Sequence, residues 1–403
     1  MSTQYDVILY GATSFVGQIT AKYLAQYDGE AFTWAIAGRS LDKLNRLKDQ
    51  LQLPQLTCFV ADSADEQALT EMAKHAKVII TTVGPYALYG ETLVKVCATT
   101  GTDYCDLTGE PQWIKAMLDK YEALATSTGA RIIHTAGFDS IPSDLGVWAM
   151  QQDALASTGK PIKHIKMRVH KVKGAASGGT VASMLNVMSD VGKDKSLRKV
   201  LVNPYVLCPS DHPYHIRQTN HTKAQFEPDT KMWIMPFVMA AINERIVHRT
   251  NALLAHQYGD DFRYDEAMRA KSGGQAWGMT LGLGAFMLGA SVGALRKLMT
   301  NTFLPKPGEG PSEQAQTAGM YDMRFYGVTC DGQELVYQVI GDRDPGYGST
   351  AKMLAQVGLC LAKDVDELQG GCWTPAAGLG SKLQHRLAAH AGVVVQRKLK
   401  AEE

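Results

Sequence analysis

The feature that most constrains this chain is a short apolar run, Val7-Ile8-Leu9-Tyr10, which breaks at a glycine and passes at once into a helical pattern carrying Phe15, Ile19, Tyr23 and Leu24. Strand formers followed by helical periodicity predict a strand, a tight turn and a helix. The turn is Gly11-Ala12-Thr13-Ser14-Phe15-Val16-Gly17. Gly11 permits the sharp reversal, Gly17 lets the helix approach the strand, and free amides at the helix start suit a diphosphate. Gly11, Thr13, Ser14, Phe15, Val16 and Gly17 are therefore candidate nucleotide-binding residues. Ser14 stands where a middle glycine is expected, so its side chain must point away from the phosphates or offer them its hydroxyl.

The next strand, Phe32 to Ala37, is followed by Gly38-Arg39-Ser40 with no acidic residue to hold a ribose 2′-hydroxyl. Arg39, with Ser40 beside it, suits a 2′-phosphate, which predicts NADP(H) rather than NAD(H). Glu30 precedes the strand and would lie at the wrong end of the sheet. Further strands are expected at Thr57–Val60, Val78–Thr82 and Arg131–His134, alternating with helices. That alternation means an α/β fold with a doubly wound parallel Rossmann sheet. Ligands bind at its carboxyl edge, so Asp62, Val83 and Gly84 are candidate walls of the adenine and nicotinamide pockets.

Composition bounds the rest. The chain has 403 residues, 41 basic against 40 acidic side chains, 45% apolar residues and 20% charged. At ~150 residues per domain this is a globular chain of two to three domains, with no global field to draw in nucleic acid. Seven cysteines without a CxxC pair predict reduced thiols and a cytoplasmic location. The start MSTQYDVILYG has no basic region, long apolar stretch or small-residue cleavage site, so no signal peptide is expected. His212, His215 and His221 have loose metal-like spacing but lack CxxC or HExxH context, and no metal is expected.

Several groups could carry chemistry. The loop Gly84 to Gly90 should border the nicotinamide, where Tyr86 or Tyr89 could donate a proton or close the pocket, packing being the plainer alternative. Asp106 and Glu110 flank a Thr-Gly turn and can orient a ligand, bind a basic substrate or cap the helix from Pro111. Asp139 and Ser140 follow a strand whose last residue, His134, is a plausible acid beside a cofactor but reads more readily as a satisfied core histidine. Ser177-Gly178-Gly179-Thr180 forms an anion-receptive helix start for a carboxylate, thioester oxygen or phosphopantetheine, with an ordinary cap as the alternative for Thr180. His164, Lys166, Arg168 and His170 line one face of an alternating strand, fit for solvent, an acidic carrier or a phospholipid surface. Finally, Trp277 to Leu295 has no charge, within a Gly-rich stretch at 273–295. As a helix it would be ~28 Å long. A hairpin or interfacial helix touching a membrane, an apolar substrate or a dimer partner is expected, against a buried core helix.

The motifs GATSFVG (11–17), AGRS (37–40), TTVGPYALYGETLV (81–94), GTDYCDLTGE (101–110) and HTAGFDSIPSDLG (134–146) resemble, in this order, the saccharopine dehydrogenase-like oxidoreductases. The bacterial branch called trans-acting enoyl reductases is the most similar. The resemblance continues through SGGTVAS (177–183), PFVMAAINERIVHR (236–249), PGEGPSEQ (307–314) and DPGYGSTAKML (344–354). It implies a Rossmann domain over 1–150, a substrate and dimerisation domain over 151–342 with an α+β, antiparallel or mixed sheet, and a segment 343–403 returning to the first domain. It also implies an NADPH-dependent reductase of activated double bonds in lipid or polyketide intermediates, acting as a homodimer on free or carrier-bound acyl groups. The alternatives are an imine or carbonyl reductase of amino-acid metabolism and a non-catalytic NADP-binding protein at a membrane or partner.

Overall fold

A computed structural model describes residues 4–174, 197, 201–291 and 310–398. Strands and helices alternate from the start: β1 (Tyr5–Tyr10), α1 (Phe15–Ala25), β2 (Trp34–Gly38), α2 (Leu41–Leu51), β3 (Cys58–Val60), α3 (Glu66–Lys74), β4 (Ala76–Thr81), α4 (Tyr86–Tyr89), α5 (Glu91–Thr100), β5 (Asp103–Cys105), α6 (Pro111–Thr128) and β6 (Arg131–Ile133). Next come α7 (Ile141–Thr158), β7 (His164–Lys173), β8 (Gln225–Glu227), β9 (Met232–Met235), α8 (Ala240–Leu253), β10 (Arg263–Ala270), α9 (Gly273–Ser291), α10 (Glu313–Thr317), β11 (Met320–Val328) and β12 (Glu334–Gly341). The chain closes with α11 (Gly348–Lys363), β13 (Gly371–Trp373), α12 (Pro375–Arg386), a π-helical turn (Leu387–Ala391) and β14 (Val393–Arg397).

These elements form two compact units, one mainly Met1–Ile141 and Gly346–Gly392, the other mainly Pro142–Lys306, Pro311–Pro345 and Val393–Glu403. The first holds a parallel sheet in the order β13-β6-β5-β4-β1-β2-β3. Its central strands are near-continuous apolar runs, as burial on both faces demands: Val7, Ile8, Leu9, Val78, Ile79 and Ile80 are all fully buried. Gly358 lets α11 lie against β4, since a Cβ there would stand 2.3 Å from Ile80. Two of the seven strands escape the sequence reading. β5 has only three residues, and β13 falls in Gly370–Pro375, expected to be a loop.

The second unit holds a mixed sheet in the order β14-β12-β11-β7-β10-β9-β8. Here β7 pairs antiparallel with β11 and parallel with β10, so it is a central strand. The basic stripe on β7 is consequently not a surface. Arg168 is fully buried and reaches Glu227 at 2.6 Å and Asp265 at 2.7 Å; His164 meets Asp265 at 2.7 Å, and Lys166 meets Asp229 at 2.6 Å. Acids from β8, β10 and the turn after β8 neutralise the stripe, and cross-strand partners of that kind cannot be read from β7 itself. His221, one of the three loosely spaced histidines, also serves this network, 2.7 Å from Asp265.

The glycine-rich run forms α9. Its first turn is anchored, with Ala276 in a cluster with Ala224, Met235 and Ala270. Beyond that, Trp277, Met279, Leu281, Met287 and Leu288 are exposed, and a Cβ on Gly278, Gly282 or Gly284 would meet nothing within 4 Å. A wholly buried core helix is thus ruled out for its described part. No described helix is long and apolar enough to cross a membrane.

His248 on α8 lies fully within the second unit, packed on the rings of Tyr205 and Phe262. Burial, reinforced by the Arg245 charge, pushes its pKa down to about 3. The unfolded chain takes up this proton near pH 6.5 while the folded one refuses it, so the stabilisation is complete above that value and is lost as pH falls toward 3. Urea unfolding should show stability declining from pH 7 to 5, and His248→Gln should flatten that slope; an unchanged slope would contradict the assignment.

Candidate active site

Because every strand of the first unit runs the same way, the loops after β1, β2, β3, β4, β5 and β6 all gather at one edge. The strand order reverses between β1 and β4, and the cofactor cleft of a doubly wound sheet opens at such a switch. Gly11 adopts φ +80°, and a Cβ there would stand 2.6 Å from Val83 Cγ2. Gly17 is tighter still, because its Cβ would come 2.2 Å from the Gly11 carbonyl oxygen. Both glycines are therefore required for the turn to close on β4.

Ser14 turns inward. The Thr82 hydroxyl donates to the Gly11 carbonyl at 2.9 Å, which leaves Ser14 Oγ to donate to Thr82 Oγ1 at 2.9 Å while accepting the Gly17 amide at 2.9 Å. Its hydroxyl is an N-cap for α1 and a tie to the end of β4, so it is not free to donate to phosphates. The cradle remains: the amides of Thr13, Phe15 and Val16 have no acceptor among the described residues. At the end of β2, Arg39 is exposed and makes no ion pair among the described residues. Ser40 caps α2, accepting the Lys43 amide. Asp62, after β3, accepts the Ala64 amide at 3.0 Å, and Val83 and Gly84 follow β4 at the same edge. The cradle and the unpaired Arg39 fit a dinucleotide diphosphate and a 2′-phosphate.

The loops after β4, β5 and β6 interlock. Glu110 is fully buried, and its carboxylate accepts the amides of Tyr86 at 3.1 Å and Ala87 at 3.3 Å, so it caps α4 rather than α6, whose N-cap position it occupies. Tyr86 is buried; its hydroxyl donates to the Thr81 carbonyl and accepts the Leu107 amide, each at 3.1 Å. Burial, with the charges of Asp106 and Glu110, pushes its pKa well above the ordinary value. Tyr86 thus braces the loop, its hydroxyl engaged on both sides. Tyr89 ends α4 with its ring half exposed. Asp139 lies beside Gly109, its Oδ2 3.9 Å from where a Cβ would be.

Asp106 is the hub. Its Oδ2 accepts Tyr104 Oη at 3.0 Å and lies 2.7 Å from His134 Nδ1; its Oδ1 accepts the amides of Thr108 at 3.0 Å and Thr135 at 3.2 Å. Thr135 is held at φ +59°, a left-handed conformation costing a β-branched residue about 1–2 kcal/mol. The sequence leaves His134 between an acid and a core histidine and does not single out Thr135. The structure adds the register: β5 pairs with β6 through Tyr104↔Ile132 and Cys105↔Ile133, so the next step sets Asp106 opposite His134. Ser177, Gly178, Gly179 and Thr180 lie outside the described residues.

Fold and cradle together define a nucleotide-binding oxidoreductase of the Rossmann type. A family model described as the saccharopine dehydrogenase NADP binding domain matches residues 7–133. A protein of Mycobacterium tuberculosis strain H37Rv, provisionally named as a trans-acting enoyl reductase, is 40% identical over 409 residues, covering 98% of this chain and 97% of its own. A trans-acting enoyl reductase of Mycobacterium bovis BCG is 36% identical over 422 residues, covering 97% of each. Among solved structures, apo saccharopine dehydrogenase (L-Glu forming) of Saccharomyces cerevisiae shares the fold, with a TM-score of 0.58 and 13% identity over 98% of this chain and 99% of its own. The chain belongs to the saccharopine dehydrogenase-like oxidoreductases, in the trans-acting enoyl reductase branch. It is an NADP-dependent oxidoreductase.

Two substitutions separate the roles at the cradle. Arg39→Ala should reduce the preference for NADPH over NADH about ten- to hundred-fold in fluorescence titrations, the worth of a charge-assisted phosphate contact. Ser14→Ala should lower stability by about 1 kcal/mol, the loss of a cap, and leave NADPH affinity intact. If Arg39→Ala keeps the preference, the 2′-phosphate lies elsewhere.

Proposed function

We propose that this protein reduces a carbon–carbon double bond conjugated to an acyl carbonyl, on a lipid- or polyketide-like substrate. Full-length similarity to proteins named trans-acting enoyl reductase is the observation that carries the reading. NADPH, when bound, supplies the hydride. The chain's own residues would hold it: the amides of Thr13, Phe15 and Val16 at the diphosphate, and Arg39 at the 2′-phosphate. The loops bearing Tyr86, Tyr89, Asp106, Glu110 and Asp139 would shape the reacting end, with Glu110 and Tyr86 rigidifying it so that the acceptor is positioned and water excluded.

The edge argues against an amino-diacid substrate. Among the loops at residues 11–17, 39–40, 62–65, 82–90, 106–110 and 134–141, Arg39 is the one cationic side chain of lysine or arginine type. A dicarboxylate would call for several. An acyl substrate asks for apolar surface and few charges instead, and the uncharged exposed face of α9 in the second unit supports a lipid-like partner. We take that face to be a peripheral membrane contact, since Trp277 stands near its start and Lys271 just before it, an arrangement suited to a headgroup boundary.

Purified protein should oxidise NADPH, followed by its absorbance, with 2-enoyl thioesters and not with 2-oxo acids plus an amine. Turnover confined to the second pair would transfer the protein to imine reduction, and NADPH binding without turnover on either would favour the non-catalytic alternative. For α9, wild type should co-sediment with anionic liposomes and a Leu281→Asp/Leu288→Asp variant should not. Equal partitioning would remove the membrane, and a change in oligomeric state between the two would assign the face to a second copy of the chain.

A further inference from the structure

We infer that His134, oriented by Asp106, delivers the proton that completes the reduction; this rests on the enoyl reading above. Saturating a conjugated double bond needs a hydride at one carbon and a proton at the carbon next to the carbonyl. The other acidic or basic groups at this edge of the first unit are largely committed. The Tyr86 hydroxyl gives its proton to Thr81, the Glu110 carboxylate is taken by two amides, and Asp106 is taken by four donors.

His134 is different. Its Nδ1 is fixed 2.7 Å from Asp106, its ring is held edge-on by Trp113 at 5.2 Å and Tyr104 at 5.8 Å, and its Nε2 is buried with no hydrogen-bond partner. An imidazole tied at one nitrogen and open at the other is the arrangement a proton donor needs. A second observation points the same way. The hydroxyls of Thr135 and Ser140, both fully buried, also lack partners, and the two residues are joined by the Ser140 amide donating to the Thr135 carbonyl at 2.9 Å. Buried hydroxyls are costly to leave unsatisfied, so the strained segment suits a polar group that is not part of the chain. The carbonyl oxygen of an acyl substrate matches two hydroxyl donors.

In the step itself, the Nε2–H bond of the His134 imidazolium breaks and its electron pair stays on nitrogen. A C–H bond forms at the carbon next to the carbonyl, discharging the enolate. Nδ1–H stays on Asp106 throughout, and water returns a proton to Nε2 for the next turnover. Asp106 is a positioning residue, acting through the ring.

The titratable groups around the ring are Asp106 and Tyr104 of the β5 edge, with Tyr86 and Glu110 behind them. In cofactor-free protein carrying 15N-labelled histidine, the His134 ring signals, identified by their loss in His134→Gln, should show Nδ1 carrying a hydrogen-bonded proton, as the 2.7 Å contact with Asp106 requires. Asp106→Asn should change the Nδ1 signal, because the carboxylate that fixes the tautomer is gone. With a 2-enoyl thioester, His134→Gln should lose about 10²- to 10⁴-fold in kcat with KM and NADPH affinity unchanged. Added imidazole should partly restore His134→Ala, which a merely structural role would not allow. A His134 ring without a hydrogen-bonded Nδ1 proton, or a His134→Gln variant with wild-type kcat, overturns the inference. Wild type inert toward every enoyl thioester overturns the enoyl reading, while the Nδ1 signal still decides the Asp106–His134 pair.

Discussion

The interaction on which the first unit depends is the contact between the β1–α1 turn and the end of β4. Gly11 allows it, because a Cβ there would strike Val83 Cγ2 at 2.6 Å and Thr82 Oγ1 at 2.9 Å, and Gly17 lets α1 close on the turn, where a Cβ would stand 2.2 Å from the Gly11 carbonyl oxygen. Thr82 then locks the two segments through Gly11 and Ser14. β1 and β4 pair side by side and the strand order reverses there, so their connections leave in opposite directions and the helix-start amides lie at that switch. A nucleotide cradle here is a by-product of packing geometry, which explains why a serine replaces the middle glycine without closing it: the side chain finds its partners on the inner side.

Asp106 performs the same service for the other half of the edge. Four donors from β5 and the loops after β5 and β6 converge on one buried carboxylate, so two loop conformations are set by a single group. The strain at Thr135 is sustained by this convergence, since the Thr135 amide is one of the four. A backbone held in an unfavourable region by a buried charge is an arrangement that packing alone does not demand, and it lies beside the ring with an open nitrogen.

What the sequence disclosed follows from the range of the forces involved. Long apolar runs ending in glycine revealed β1, β2 and β4 and hence the doubly wound sheet, and local turn chemistry revealed the tight turn at Gly11 to Gly17. Strands of three residues, such as β5 and β13, carry too few positions for a pattern to register. Missing β5 concealed the Asp106–His134 pairing, since its register with β6 is the only thing that brings residues 28 apart together. On β7, alternation was legible but its meaning was not. Arg168 looked outward-facing because Glu227 and Asp265, which cancel its charge, lie 59 and 97 residues away. Uncompensated, a buried guanidinium would cost several kcal/mol, so a sequence reader places it in water and is misled.

The 2′-phosphate site proposed at Arg39 draws on an asymmetry between two opposite charges. Arg39 and Asp62 follow adjacent strands, β2 and β3, and both act on the Tyr10 hydroxyl at the end of β1. Burial pushes that hydroxyl up to about 12, the Asp62 charge adding to the shift and the Arg39 charge opposing it. Were the two charges equally available, the field at this corner would be close to neutral for an incoming anion. They are not equally available. Asp62 turns back onto its own loop, accepting the Ala64 amide at 3.0 Å, while Arg39 keeps its donors in solvent with no partner among the described residues. A dianionic 2′-phosphate bound at this corner would find the guanidinium donors of Arg39 unspent, which is the support for the proposed site.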